Sequence, residues 1–307
     1  MGSAPWCTVI IPTYNRMRLL ELTLGALSRQ TLPRDRFEVL VVDDGSSDGT
    51  AGVARGFADR LDLRYFFQED RGYRVSRARN VGIEHARGDI CVFVDSGVLP
   101  HSTCLNAHLA RHHGATQPLA LNGYVYCFNL DNEDAELIRT SVDVDDVDAT
   151  IAAMAQTGAW PDLREDFYTR YTDDFQHVPA PWLMFWTCLA SARTQQLRAV
   201  GMFDEAFRQW GGEDLDLAYR LHRDGARFGV YRPASAIHYP HDKDHTRNAR
   251  TALANYRYIA RKYRTPITRL LVEVPEIGFG RLNEVIQERG LPRCADYLAT
   301  DEHARLG

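Results

Sequence analysis

"FEVLVVDDGSSDGT", residues 37–50, carries a near-continuous apolar run, Phe37 to Val42, into Asp43, Asp44 and Gly45. A strand that is apolar without alternation is buried on both faces, as a parallel sheet lying between two helix layers requires. The same design lies on either side of it. Upstream, "CTVIIPTYNR" (7–16) is a β-branched run ended by Pro12, and Met17, Leu20, Leu24 and Leu27 then recur at helical spacing. Downstream come a strand around Leu63–Phe67, a helix in "VSRARNVGIEHARG" and a fourth strand–loop unit, "DICVFVDSGVLP". This alternation predicts an α/β fold with a doubly wound sheet. Ligands of such sheets bind beyond the carboxyl ends of the strands. One Asp-Gly pair there makes only a turn. Asp43, Asp44 and Asp95, all at strand ends, favour a site.

The remaining features narrow the class. With 307 residues the chain can bury a large core, and a net charge of −5 excludes a general nucleic-acid binder. Its six cysteines are scattered without a CxxC pair, which argues against a zinc site or a disulfide frame. No apolar run reaches membrane-span length, and the first residues lack the features of a signal peptide. A cytoplasmic location is expected.

From 128 to 178 the pattern weakens into the acidic "NLDNEDAELIRTSVDVDDVDATI", which reads as a solvated flap over the cleft. "VPAPWLMFWTCLASA" (178–192) reads as a strand, and "FGVYRPASAIHYPH" (228–241) as a last strand followed by a histidine-rich loop. The basic, Tyr-rich tail 249–271 has helical spacing. It would pack on the core with its arginines outward, or make peripheral contact with anionic lipid.

"RQWGGEDLDLAYRLHRDG" (208–225) crowds Glu213, Asp214 and Asp216 behind Gly211 and Gly212. Acids suit the positive end of a helix, and Leu217 and Leu221 supply its apolar stripe. The alternative is a carboxylate on the floor of a cleft, with glycines that let a ligand approach the backbone.

At these residues the sequence resembles the inverting family 2 glycosyltransferases of GT-A fold. "VIIPTYNR", "VLVVDDGSSDGT", "RARNVGI" and "FVDSG" stand in that family's order. "WGGEDLDLAYRLHRDG" resembles the catalytic region of β-1,4-galactosyltransferases and of bacterial chondroitin- and hyaluronan-type polymerases. The resemblance implies a GT-A mixed sheet with helices on both faces. Residues 1–125 would form its nucleotide-sugar-binding half, 126–245 its acceptor and catalytic half, and 246–307 a C-terminal helical extension.

By the same resemblance Pro12, Thr13 and Tyr14, with Asp43 or Asp44, would hold the uracil and ribose of a UDP-sugar. Arg71, Gly72, Arg79, Asn80, Asp95 and Ser96 would approach its ribose, diphosphate and sugar. Asp214 matches the general base, with Glu213 beside it and Trp210, Gly211 and Gly212 on the acceptor and sugar side. Asp95 and His238 match metal ligands for Mn2+ or Mg2+. The family's DxD motif here reads Asp95-Ser96-Gly97, so the acid that grips the metal is missing and metal dependence stays open. The acceptor would be a small molecule, a glycan or a peptide. Two other readings compete, a sugar nucleotidyltransferase and a pseudo-enzyme that binds without turnover. "PTYNRMR" lacks the glycine-rich triphosphate loop of the first. A binding module has no evident need for the base.

Overall fold

A computed structural model describes residues 6–128 and 134–298. Its centre is one eight-stranded sheet in the order β3-β2-β1-β4-β7-β6-β8-β5. The strands are β1 (Cys7–Thr13), β2 (Phe37–Asp43), β3 (Leu63–Phe67), β4 (Ile90–Val94), β5 (Val98–Pro100), β6 (Leu119–Tyr126), β7 (Leu189–Arg193) and β8 (Arg227–His238). β1 to β4 are mutually parallel where they pair, in the expected nucleotide-binding half. β7 enters antiparallel between β4 and β6, so the sheet is mixed. β8 runs parallel to β6, and β5 closes the edge antiparallel to β8.

Burial explains the unbroken apolar runs. Every residue of β1, β2 and β4 is buried, because helices cover both faces. α1 (Met17–Leu27) and α2 (Thr50–Gly56) lie on one face, with Leu20, Leu24 and Leu27 packed against Val9, Ile11, Val39 and Val41. α3 (Val75–His85) covers the other, where Ile83 meets Ile10, Cys91 and Phe93. All six cysteines are buried free thiols.

Two expectations change. The acidic stretch is not a featureless flap: α4 (Cys104–His113) is followed, past residues 129–133, which lie outside the described residues, by α5 (Ala135–Ser141), α6 (Val147–Thr157) and α7 (Glu165–Tyr171). α5 and α6 bury Ile138, Val147, Ile151 and Met154 against Leu22 and Ile237. The Asp146 side chain caps α6 by accepting from Ala149 N, so one of the acids serves as a helix start. "VPAPWLMFWTCLASA" is likewise not one strand. Pro181–Met184 forms a 3-10 turn, and only Leu189–Arg193 joins the sheet.

α8 (Thr194–Ala199) and α9 (Glu213–Arg223) precede β8, and α10 (His245–Tyr263) begins the C-terminal helices. The apolar face of α10 is used inside the protein. Ala252, Tyr256 and Ile259 are buried in the main core, while Arg247, Arg250, Arg257 and Arg261 face outward. No helix among the described residues is long and apolar enough to cross a membrane.

Candidate active site

The carboxyl ends of β1, β2 and β4 open on one edge of the sheet, and the N-terminus of α9 meets them there. Arg79 of α3 joins the two halves. Its guanidinium is almost fully buried and donates to Asp95 Oδ1 at 3.0 Å, Asp214 Oδ1 at 3.3 Å and Glu213 Oε1 at 3.4 Å. One cation thus faces three carboxylates. Burial and its neighbour Asp214 push the Glu213 carboxyl up to about 7, although Arg79 opposes the rise. Glu213 Oε2 is buried without a partner among the described residues.

Asp214 is held more firmly. Thr187, just ahead of β7, gives its backbone N–H to Oδ2 at 2.9 Å and its hydroxyl to Oδ1 at 2.6 Å. The carboxylate keeps partial exposure, 20% of its side chain, so a proton can reach it. A fixed, accessible carboxylate suits a general base.

Asp43 and Asp44 shape the loop after β2. Asp43 Oδ1 accepts from the N–H groups of Gly45 and Ser46, and its Oδ2 accepts from Tyr65. Asp44 accepts from Gln68 Nε2 at 2.6 Å and from Arg74 N at 2.7 Å, while burial raises its carboxyl. Gly45, at φ +98°, packs where a Cβ would come 2.4 Å from Asp70 N, so position 45 requires glycine. Asp70 receives the Tyr14 hydroxyl at 2.9 Å and the N–H of Gly72 at the same distance. These contacts bring Tyr14, Asp44 and Gly72 to one rim. Thr13 is buried at the end of β1, and Ser96 donates to the Pro12 carbonyl at 3.1 Å.

Several expected site residues have work elsewhere. Arg71 projects into solvent and pairs with Glu69. Asn80 exchanges hydrogen bonds with the Phe203 backbone, donating at 2.9 Å and accepting at 2.8 Å. Asp216, next in line as a base by sequence, is buried against Arg220, Lys262 and Tyr263. Gly211 and Gly212 lie at φ +92° and +94°, but what comes close to them is α10 and not an open sugar pocket. A Cβ on Gly211 would fall 2.9 Å from Ala252 Cβ, and Asn255 Nδ2 binds the Gly211 carbonyl at 2.5 Å. Trp210 stays 40% exposed.

His238 ends β8 opposite Val98, three residues from Asp95, and Tyr239 N donates to the Gly97 carbonyl at 2.8 Å. Its ring packs against Phe128 and His241, with centroids at 4.8 and 5.2 Å. The Nδ1 atoms of both histidines are buried without partners among the described residues. No group of three or more His, Cys, Asp or Glu side chains suited to a metal ion occurs among the described residues.

Sequence reasoning missed three residues here. Thr187 lies within a segment read as strand. Tyr73 feels the charges of Glu213, Arg79, Asp95 and Asp214, and Arg16 those of Asp95 and Tyr73. "NRMR" and "GYR" did contain the signal, a cation and an aromatic at strand-end loops.

Comparison with known proteins identifies the family. Residues 8–136 match the family described as glycosyl transferase family 2, and residues 171–245 the one described as N-terminal domain of galactosyltransferase. A validoxylamine A glucosyltransferase of Streptomyces hygroscopicus subsp. jinggangensis is 37% identical over 274 residues, covering 89% of this chain. The chain spans 65% of that relative's length. The mannosyltransferase PcManGT of Pyrobaculum calidifontis, solved with GDP-Man and Mn2+, superposes with a TM-score of 0.60 at 22% identity, over 99% of this chain and 81% of its own. TarS of S. aureus, solved with UDP-GlcNAc, gives 0.59 at 19% identity, over 84% of this chain and 66% of its own. With both family matches falling on the two halves that Arg79 joins, the chain belongs to the family 2 glycosyltransferases and has their GT-A fold.

Proposed function

We propose that the chain moves a glycosyl group from a UDP-sugar to an acceptor nucleophile with inversion, with Asp214 as the general base. The observation that carries this reading is Asp214 itself, held through both oxygens by Thr187 yet open to the cleft. The acceptor O–H attacks the anomeric carbon in line, and the bond from that carbon to the β-phosphate oxygen breaks. The departing nucleoside diphosphate takes the electron pair, and the proton goes to Asp214. Glu213, its carboxyl raised toward neutrality, lets Arg79 serve Asp95 and Asp214 without a third full negative charge.

In this reading Asp44 and Tyr14 would face the base and ribose; TarS was solved with UDP-GlcNAc and PcManGT with GDP-Man, so the choice of uridine is the part that the titration below tests. The relative named validoxylamine A glucosyltransferase supports a glucosyl donor. Mn2+ or Mg2+ fits as an ion carried in by the nucleotide. Asp95 and the orphaned imidazole of His238 offer two donors, which leaves the remaining positions to phosphate oxygens and water. When bound, such an ion would offset charge on the leaving group.

Isothermal titration with UDP, GDP and ADP, followed by turnover with UDP-glucose, tests the reading. UDP should bind clearly best, and Asp44→Ala should erase the preference. Equal affinity for all three nucleotides would overturn the donor assignment.

A further inference from the structure

Arg164 and Asp162 form a buried ion pair that lies outside the three-acid cluster. Both side chains are 2% exposed, and they meet through two hydrogen bonds, Nε to Oδ1 at 2.9 Å and Nη2 to Oδ2 at 2.7 Å. The guanidinium also donates to the carbonyls of Met184 and Gly123, at 3.3 and 3.4 Å. Such a pair adds little stability over apolar packing, so what it holds in place matters more than its energy. Its central carbon lies over one face of the Trp186 ring, 5.0 Å from the centroid. Trp186 N donates to Asn122 Oδ1 at 3.3 Å, so the ring and the backbone are both held.

Trp186 directly precedes Thr187, which grips Asp214 by both oxygens. Phe128 lies tilted beside the indole with centroids 6.0 Å apart, and Phe279 meets it edge-on at 6.2 Å. Phe279 opens a 3-10 turn in the C-terminal helices and reaches on to Tyr256 of α10 at 5.7 Å. Phe128, Trp186 and Phe279 are all half-buried. A run of aromatic side chains that keep some exposure thus adjoins a carboxylate that also keeps some. The glycine pair at 211 and 212 gives no such surface, because α10 packs on it.

We propose that Trp186 and Phe279 form the platform on which the acceptor lies, and that the acceptor presents a pyranose ring. The C–H face of that ring rests on the face of Trp186 that Arg164 does not cover, against Phe279, with one hydroxyl directed to Asp214. A pyranose carries its C–H bonds on its faces and its hydroxyls around the rim. Aromatic surface buries the first and leaves the second free for hydrogen bonds. The proposal rests on Asp214 as the base and deepens that reading by naming the acceptor class. It also gives the C-terminal helices a part in acceptor choice, since Phe279 lies beyond both family-matched segments.

The test measures turnover of UDP-glucose with methyl α- and β-D-glucopyranoside and with glycerol, an acyclic polyol. The parent, Trp186→Ala, Trp186→Phe and Phe279→Ala are compared, with UDP affinity followed by titration calorimetry. In the parent the better pyranoside should show a KM about tenfold or more below that of glycerol. Trp186→Ala should raise the pyranoside KM by about tenfold and Phe279→Ala by about threefold, with kcat changing less and Trp186→Phe recovering most of the loss. UDP affinity and the glycerol KM should stay within about twofold throughout. Equal pyranoside KM in all four proteins would overturn the platform, and equal KM for pyranoside and glycerol in the parent would overturn the acceptor class. Loss of UDP affinity in parallel with the rise in KM would also overturn the proposal, by showing that the rings hold the fold. A parent that binds UDP and transfers to none of the three would overturn it while leaving the donor reading intact. A parent that does not bind UDP would overturn both.

Discussion

Arg79 and Asp214 lie 135 positions apart in the chain and 3.3 Å apart in space, and through Arg79 the proposed base touches the helix that covers β1 and β4. The guanidinium is the only cation paired with Asp95, Glu213 and Asp214 among the described residues. Its removal leaves three neighbouring carboxylates facing one another. Arg79→Ala should cost about 3–5 kcal/mol of stability, the range for breaking a buried ion pair from one side. Arg79→Lys should rescue little, because one ammonium cannot span three acceptors. Urea denaturation of the three proteins at pH 7 decides it.

Asp214→Asn keeps the size of the side chain and removes the proposed base. Transfer should fall roughly a hundredfold or more with UDP affinity nearly unchanged. Thr187→Val should give a smaller loss of turnover, since it frees Asp214 to rotate without removing it. Normal turnover by Asp214→Asn would place the base elsewhere.

Glu213 makes stability depend on pH in an unusual direction. Its carboxyl is pushed from 4.5 up to about 7 in the folded chain by burial and by Asp214, so the folded state holds the proton more tightly than the unfolded one. The contribution is fully present below pH 4.5 and is lost as pH rises through 7. Glu213→Gln, which cannot ionise, should gain stability relative to the parent between pH 5 and 8. Denaturation curves across that interval that stay parallel for the two proteins would refute the assignment.

An opposite dependence resides in α4. His108 Nδ1 and His112 Nε2 both lie 2.8 Å from Ser191 Oγ, deep in the core. Burial lowers His108 from 6.5 to about 4 and His112 to about 3. The unfolded chain takes up those protons first, so stability is full above pH 6.5 and declines as pH falls toward the folded values. Each histidine contributes a slope of about 1.4 kcal/mol per pH unit in that window. His112→Gln should flatten the acid limb of a melting-temperature profile by about half of the histidine contribution.

Gly211→Ala places a Cβ 2.9 Å from Ala252 at a positive φ. Strain and contact together should cost about 1–3 kcal/mol and loosen α10. Adding Ala252→Gly should recover the steric part only, which a double-mutant cycle by thermal melting would resolve.

The parallel half was legible in the chain because each strand there is a local, uninterrupted apolar run. The stretch from 37 to 43 and that from 63 to 67 fold as their residues indicate. α5 to α7 escaped notice because seven- to eleven-residue helices with few buried positions carry little periodicity. The glycines at 211 and 212 announced a close approach but could not name the segment that approaches, since Ala252 is 41 positions away. Arg79 was legible as part of a motif. Its three partners were not, because ion pairs across 16, 134 and 135 positions leave no local pattern.

β7 enters the sheet against the direction of β4. Val94 sits opposite Leu189, and Asp95 N donates to the Cys188 carbonyl at 3.0 Å. A strand that arrives where its neighbour departs works as a ruler laid between Asp95 and Asp214. Thr187 grips Asp214 one residue beyond the rung that fixes Asp95. A slip of one residue would turn Thr187 to the opposite face of the sheet and release the proposed base, Asp214, from its grip. Replacing the segments beyond β4 while keeping β1 to β4 would therefore succeed or fail on the alignment of five residues, Leu189 to Arg193, before any other contact is considered.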